Sequence, residues 1–278
     1  MSKMKYRARN HRAQVIIIAC MLVVGIVFVL PYVWMILDSF KPMKEISQGK
    51  TFFPKNFTTK NYVTVVTKAP LFNWLINSCI VSFAGTFIVL FTSTLAGFVF
   101  AKYNFRGRDL IFLFILATMM VPAQTTMIPS FLLVEKLGMY DKLTALFVPK
   151  MVGGFGIFLA RQFIADIPDD LMDSAQIDGA SDMYIYSRII LPLIKPAISA
   201  LAIFTFLGLW NDYLGPLLFL SSTKNMTMPL ALNYFSNQHS KDTGAVLAAA
   251  TMIMAPVTVV FLCFQKQFVE GIALTGMK

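Results

Sequence analysis

The side chains that could do chemistry are few, and most are carboxylates. Six of the fourteen acidic residues lie between Ala165 and Pro196: Asp166, Asp169, Asp170, Asp173, Asp178 and Asp182. Apolar runs flank that stretch on both sides. A second group, Trp210-Asn211-Asp212-Tyr213, and the lone amide of Gln124 stand inside otherwise apolar runs. The histidines, His11 and His239, fall in loops, so no His/Glu/Asp constellation for a membrane-embedded enzyme results. Cys20, Cys79 and Cys263 each sit alone in an apolar run, as small buried hydrophobes do, and no disulfide framework or metal site follows from them. No G-x-x-x-x-G-K-S/T occurs, so the chain has no P-loop with which to hydrolyse ATP. The chemistry that remains is recognition: charge complementarity for the aspartates, hydrogen bonding and aromatic contact for residues 210–213.

The elements that must position these groups are membrane helices. The 278 residues are 57% hydrophobic and 14% charged, against about 45–50% and about 25% in soluble domains. Charge-free runs cover Ala13–Leu37, Ala69–Ala101, Leu110–Val134 and Thr243–Gln265, the shortest being 23 residues. A bilayer-spanning helix needs roughly 20 apolar residues. The expectation is an all-α membrane protein forming one domain over 1–278. Its spans fall at about 15–37, 74–101, 110–134, 144–164, 197–220 and 244–264. The first run is too long for a signal-peptide core and no A-x-A-like site follows it, so it is read as an uncleaved span. The net charge of +10 reflects cations flanking spans, not nucleic-acid binding. With the N-terminus inside, all seven arginines fall inside: Arg7, Arg9, Arg12, Arg106, Arg108, Arg161 and Arg188. Six spans then put both termini and residues 165–196 on the cytoplasmic side.

Within the spans, Trp74 is expected in an interfacial segment opening the second. Ser82, Gly85, Thr86, Ser93, Ala96 and Gly97 are small residues suited to close helix packing. Pro122 and Pro129 are expected to kink the third span. Gln124 beside them either lines a pathway or serves structure alone. Lys150 and Arg161 bound the fourth and are expected to snorkel toward opposite interfaces. Gly153, Gly154 and Gly156 between them allow a bend or a close contact. Asp212 is the one acid well inside a predicted span, and intramembrane acids are functional candidates. With Trp210, Asn211 and Tyr213 it either lines a solute path or forms a structural hydrogen-bonded cluster.

The acidic insert reads as two short helices around a turn. Pro168 suits the first helical position, and Asp169, Asp170 and Asp173 complement the positive helix N-terminus. Leu171, Ala175 and Gly179 follow at spacings of four. Gly179 stands where a helix C-cap needs a left-handed backbone. Ser181 or Asp182 can cap a second helix, on which Met183, Tyr186 and Ile190 share a face. Leu191–Pro192 ends or kinks it. The cytoplasmic leaflet is negative, so lipid is a poor partner for this face; a basic groove on another protein suits it, the bland alternative being a solvated loop.

A resemblance then narrows the reading. Asp173-Ser174-Ala175-x-x-x-Gly179, nine residues, Ile189-x-Leu191-Pro192 resembles the EAA loop of bacterial ABC importer permeases, with Asp for Glu and Ser for Ala at its start. Ile177-Asp178-Gly179-Ala180 matches the wording around the glycine. Trp210-Asn211-Asp212-Tyr213 and the tail Gln265–Gly271 resemble the carbohydrate-uptake, maltose-type branch. The resemblance implies the type I ABC importer permease fold, with a cytoplasmic coupling helix between spans 4 and 5, in the bacterial inner (plasma) membrane. It implies a permease subunit for mono-, di- or oligosaccharides, not an enzyme. Implied partners are a second, paralogous permease in a heterodimer, two ATPase subunits, an extracellular or periplasmic solute-binding protein and membrane lipid, with no nucleic acid. No cofactor or metal is implied for this chain; ATP and Mg belong to the ATPase. By the same carry-over the ATPase-coupling residues are Asp169, Leu171, Met172, Asp173, Ala175, Ile177, Asp178, Gly179, Leu191 and Pro192. Asp173 would pair with a basic residue, Gly179 would make the turn, and Leu171, Met172, Ala175 and Ile177 would fill a cleft. The alternative is the same architecture for another solute, such as glycerol-3-phosphate or a peptide. A secondary transporter would favour midplane ionisable pairs or inverted repeats, and neither is evident in the sequence.

Overall fold

The structure is a computed structural model. It describes residues 14–235 and 242–262 with their side chains, and only the helical backbone of 2–13, 236–238 and 263–275. The N-terminal basic cluster, His11, His239, Cys263 and the motif Gln265–Gly271 therefore lie outside the residues described with side chains.

Among the described residues, the helices that frame the polar groups are α1 (Ser2–Ser39), α2 (Leu71–Lys102), α3 (Arg108–Thr118), α4 (Ala123–Lys136), α5 (Thr144–Lys150), α6 (Gly154–Ala165), α7 (Asp170–Ile177), α8 (Asp182–Leu193), α9 (Lys195–Trp210), α10 (Leu214–Phe219) and α11 (Thr243–Thr275). Three described segments are long and apolar enough to cross a membrane alone: Gln14–Ser39, Leu71–Lys102 and Thr243–Leu262. Three further pairs qualify as bent spans, α3 with α4 (95°), α5 with α6 (46°) and α8 with α9 (81°). The first two bends have local causes. Pro122 lacks an N–H and drives Val121 out of the helical region. Pro129 causes no break, because it sits in the first turn after the 3-10 segment Ala123–Thr126. Met151–Gly153 separates α5 from α6 at the glycine-rich stretch. The expected fifth span stops early: α9 ends at Trp210, and α10 opens where Asp212 Oδ1 accepts the Gly215 N–H at 3.1 Å, ahead of Pro216.

The chain divides into two compact units. The first comprises Met1–Ala69 and Tyr234–Met254. In it α1 leaves Val15–Leu30 exposed, as a lipid-facing helix must. Residues 38–70, between the first two predicted spans, form the short helices Met43–Gln48 and Lys60–Lys68. Asn61 Nδ2 donates to Ser39 O (2.7 Å) and Lys41 O (2.9 Å), and the Phe40 ring lies 4.8 Å from those of Phe57 and Tyr62.

The second unit comprises Pro70–Asn233 and Ala255–Lys278. Its spine is α2, which packs chiefly on α6 and α9. The small residues expected to permit this do so. Ser82, Gly85, Thr86, Ser93 and Gly97 are all buried. A Cβ on Gly97 would stand 2.5 Å from Ala160 Cβ, so a side chain there would force α2 and α6 apart. Trp74, in the first turn, is fully buried, and its Nε1 donates to Thr223 O at 2.6 Å.

Candidate functional site

Three places gather polar groups, one at each end of α2 and one beside its middle. Near its first turns Asn77 Nδ2 donates to Lys224 O and Met226 O, and Ser78 Oγ accepts the Met228 N–H. At its last residue Lys102 Nζ donates to Ile167 O and lies 2.6 Å from Asp169 Oδ1. The helix is 32 residues long, roughly 48 Å at 1.5 Å per residue. The acidic insert and residues 223–228 therefore occupy opposite ends of the unit.

At the insert end, the sequence builds two helices around Gly179, whose φ of +82° is the left-handed turn only glycine adopts freely. Ser181, rather than Asp182, caps α8, its Oγ accepting the Tyr184 N–H. The helix before it starts at Asp170, later than Pro168 suggests, and Asp169 makes no side-chain cap, because its carboxylate is drawn to Lys102. Leu191 and Pro192 lie within the last turn of α8, so the chain bends at Ile194 and not at the proline. Just before, Leu191 N–H reaches back five residues to Tyr186 O in a π-helical turn. This turn brings Ile185, Tyr186 and Ile190 to one buried face while Met183 stays exposed, a different face from the one spacing suggested. Tyr186 Oη is hydrogen-bonded to Thr94 Oγ1 of α2 at 2.8 Å.

The insert's own core joins it to the helices. Met172, Ile185, Tyr186, Ile190 and Ile194 cluster with Phe98 of α2, Ala160 and Ile164 of α6, and Ala197 of α9. Met172 is only 6% exposed there, so it is corrected from a cleft-filling residue to an internal anchor. Ala175 and Leu191 are half-buried against the same cluster. What the insert presents outward is Leu171 and Ile177, the latter 85% exposed, with Asp170, Asp173 and Asp178 around them. An apolar centre with an acidic rim fits a protein surface of opposite charge. Nearby, the buried hydroxyl of Tyr103 is pushed up to about 12 by desolvation and by the charge of Asp182.

The second place is a cavity of about 330 Å³ between α4, α5 and α10. Gln124 and Asp212 line it, with Thr126, Ser130 and Lys150. One helix break supplies a lining residue, Asp212 of 211–213 before α10, while the breaks at 119–122 and 151–153 adjoin the lining residues Ala123 and Lys150. Backbone freed from helical hydrogen bonds is tolerated at membrane depth where it faces protein or a water-filled cavity. The segments around 147–151 and 209 lie near the middle of α2. Leu209 and Phe147 crowd Gly85, and Thr92 Oγ1 donates to Met151 O. Lys150 does not snorkel to an interface: its Nζ lies 2.6 Å from Asp212 Oδ2. Arg161 reaches toward the insert end of α2, 4.0 Å from the centre of the Phe112 ring and 3.6 Å from the exposed Asp109 carboxylate. Trp210, Asn211 and Tyr213 are not among the lining residues. Trp210 is buried, stacked on Phe206 at 5.7 Å. The signal available in sequence was partial: Asp212 is the one acid well inside a predicted span, and Lys150 is one of two cations, with Arg161, in the predicted fourth span.

At the end opposite the insert, Asp141 accepts from Ser221 N, Ser222 N and Ser222 Oγ, and its own carbonyl accepts from Asn225 Nδ2. The Ser222 hydroxyl, followed by the two backbone donors, lowers its pKa to about 2. This clasp ties residues 137–143 to residues 220–225, the two connections expected to share a side of the membrane.

The model of the family described as "binding-protein-dependent transport system inner membrane component" matches residues 93–273. An arabinooligosaccharides transport system permease protein of Halalkalibacterium halodurans is 33% identical, over 94% of this chain and 97% of that one. A lactose transport system permease protein of Rhizobium radiobacter is 30% identical, over 87% and 89%. A solved structure of a bacterial ABC transporter involved in the import of the acidic polysaccharide alginate aligns with a TM-score of 0.83 at 23% identity, over 94% of this chain and 98% of that one.

Proposed function

Because the chain belongs to the family of binding-protein-dependent transport system inner membrane components, we propose that it is a sugar-importing permease subunit, moved by a separate ATPase through residues 165–196. It acts as a transport subunit, with ATP and Mg held by the ATPase. The carrying observation is the insert's two-sidedness. One face is welded by Met172, Tyr186 and Ile190 to α2, α6 and α9, and the other offers Leu171 and Ile177 within an acidic rim. A push on the outer face therefore reaches three helices through close-packed side chains rather than through a flexible loop.

In this reading Asp173 and Asp178 meet cations of the ATPase, Leu171 and Ile177 fill its cleft, and Gly179 sets the angle between α7 and α8. Residues 1–278 act as one permease domain of six spans, three of them bent, with both termini and the insert cytoplasmic. A paralogous permease supplies the other half of the path, two ATPases power it, and a solute-binding protein delivers saccharide on the far side. The substrates named for the similar permeases support a mono-, di- or oligosaccharide. So does a cavity whose amide, hydroxyl, ammonium and carboxylate groups match a sugar's mixed donors and acceptors. The test uses the assembled transporter. Asp173→Lys and Gly179→Val should each cut saccharide-stimulated ATP hydrolysis and uptake by tenfold or more; wild-type rates in both would overturn the coupling assignment.

A further inference from the structure

We propose that the Lys150–Asp212 pair makes the cavity between α4, α5 and α10 selective for uncharged saccharides, with Asp212 the specificity-determining residue. This rests on the sugar-permease reading and names the class of sugar. The cavity's charged lining consists of these two residues, and they cancel, with Lys150 Nζ 2.6 Å from Asp212 Oδ2. The other polar groups that line it, Gln124, Thr126 and Ser130, are neutral.

The pair is held in place. Asp212 Oδ1 accepts the Gly215 N–H, so the start of α10 fixes the carboxylate, whose side chain is 17% exposed against 46% for Lys150. An ammonium has three donors, and the contact with Asp212 leaves others for a sugar hydroxyl. At about 330 Å³ the cavity stands at the small end of the ligand-pocket range, roughly 300–1,000 Å³. A hydroxyl-only sugar can pair with both charges at once and leave the ion pair intact. A uronate or sugar phosphate cannot. It must either draw Lys150 away from Asp212, leaving two anions facing each other, or enter with no free cation to meet it. Such built-in repulsion is how a site rejects a competitor of similar shape. An amino sugar meets the mirror-image obstacle at Lys150.

The experiment uses the complete reconstituted transporter with its binding protein unchanged in every arm, so any change in selectivity arises in the permease. Uptake of the best neutral saccharide is measured with excess glucuronate or galacturonate. Wild type should be insensitive. Asp212→Asn leaves Lys150 unbalanced and should raise uronate inhibition at least tenfold. The double variant Lys150→Met/Asp212→Asn, neutral again, should lose that sensitivity, which a merely structural defect would not produce. Should Asp212→Asn fail to assemble, Lys150→Glu keeps the Gly215 contact and should instead create inhibition by glucosamine. Uronate or glucosamine inhibition that ignores the cavity's net charge overturns the charge assignment alone. Absence of uptake or ATPase stimulation by any saccharide in the wild-type transporter overturns the sugar-permease reading, and this inference with it.

Discussion

Lys102 Nζ, at the last residue of α2, lies 2.6 Å from Asp169 Oδ1 and also donates to Ile167 O, with its side chain 3% exposed and that of Asp169 77% exposed. One cation thus closes the foot of the acidic insert onto the helix that runs the length of the unit. The two partners are unequal in what they would cost to lose. Lys102→Met strands a main-chain carbonyl and should destabilise the solubilised protein by about 1.5–3 kcal/mol, as for a charged hydrogen bond. Asp169→Ala removes an exposed ion-pair partner and should cost under about 1 kcal/mol. Thermal unfolding of the two variants in one detergent checks the order; a larger loss for Asp169→Ala would refute the clamp.

The two faces of α7 should separate in experiment. Met172→Ala empties a packed site and should destabilise the chain by roughly 2–5 kcal/mol. Ile177, 85% exposed, should tolerate alanine within about 0.5 kcal/mol yet lose co-purification of the ATPase subunit. Equal stability losses at both positions would mean that the insert has no free face.

Asp141 makes stability depend on acid. Its folded pKa is lowered from 3.8 to about 2. The sign is therefore that of a depressed carboxyl: its contribution is complete above about pH 4 and disappears as pH falls through about 2. Because the group is partly solvent-accessible, the contribution is on the order of 1 kcal/mol after screening. The melting-temperature gap between wild type and Asp141→Asn should be constant from neutral pH to about 4 and close toward pH 2. A gap that widens on acidification would contradict the clasp.

Several features were legible from local pattern because local physics decides them. Long charge-free runs become helices that bury or face lipid with their own hydrogen bonds satisfied. Gly179 had to turn left-handed, Pro122 had to break its helix, and the small residues of α2 had to meet neighbouring helices. The aspartates of 165–196 had to avoid an apolar interior, so their segregation was visible before any fold was known.

Which side chains those elements aim at one another is not a local property. The family resemblance offered Met172 to a partner, yet Met172 clusters with Ile164 and Ile185 inside the unit. Spacing sent Lys150 to an interface, yet Asp212, 62 residues away, holds it at the cavity. The motif Trp210–Tyr213 looked like one site, and the end of α9 divided it, with Trp210 in the core and Asp212 in the lining. The sequence by itself determined that the chain carries membrane-length apolar helices and an acidic insert between two of them, because hydrophobicity and backbone sterics act over a few residues. Only the tertiary structure decided which charges pair and which face of the insert stays free, because those outcomes depend on groups brought together by helix packing across tens of residues.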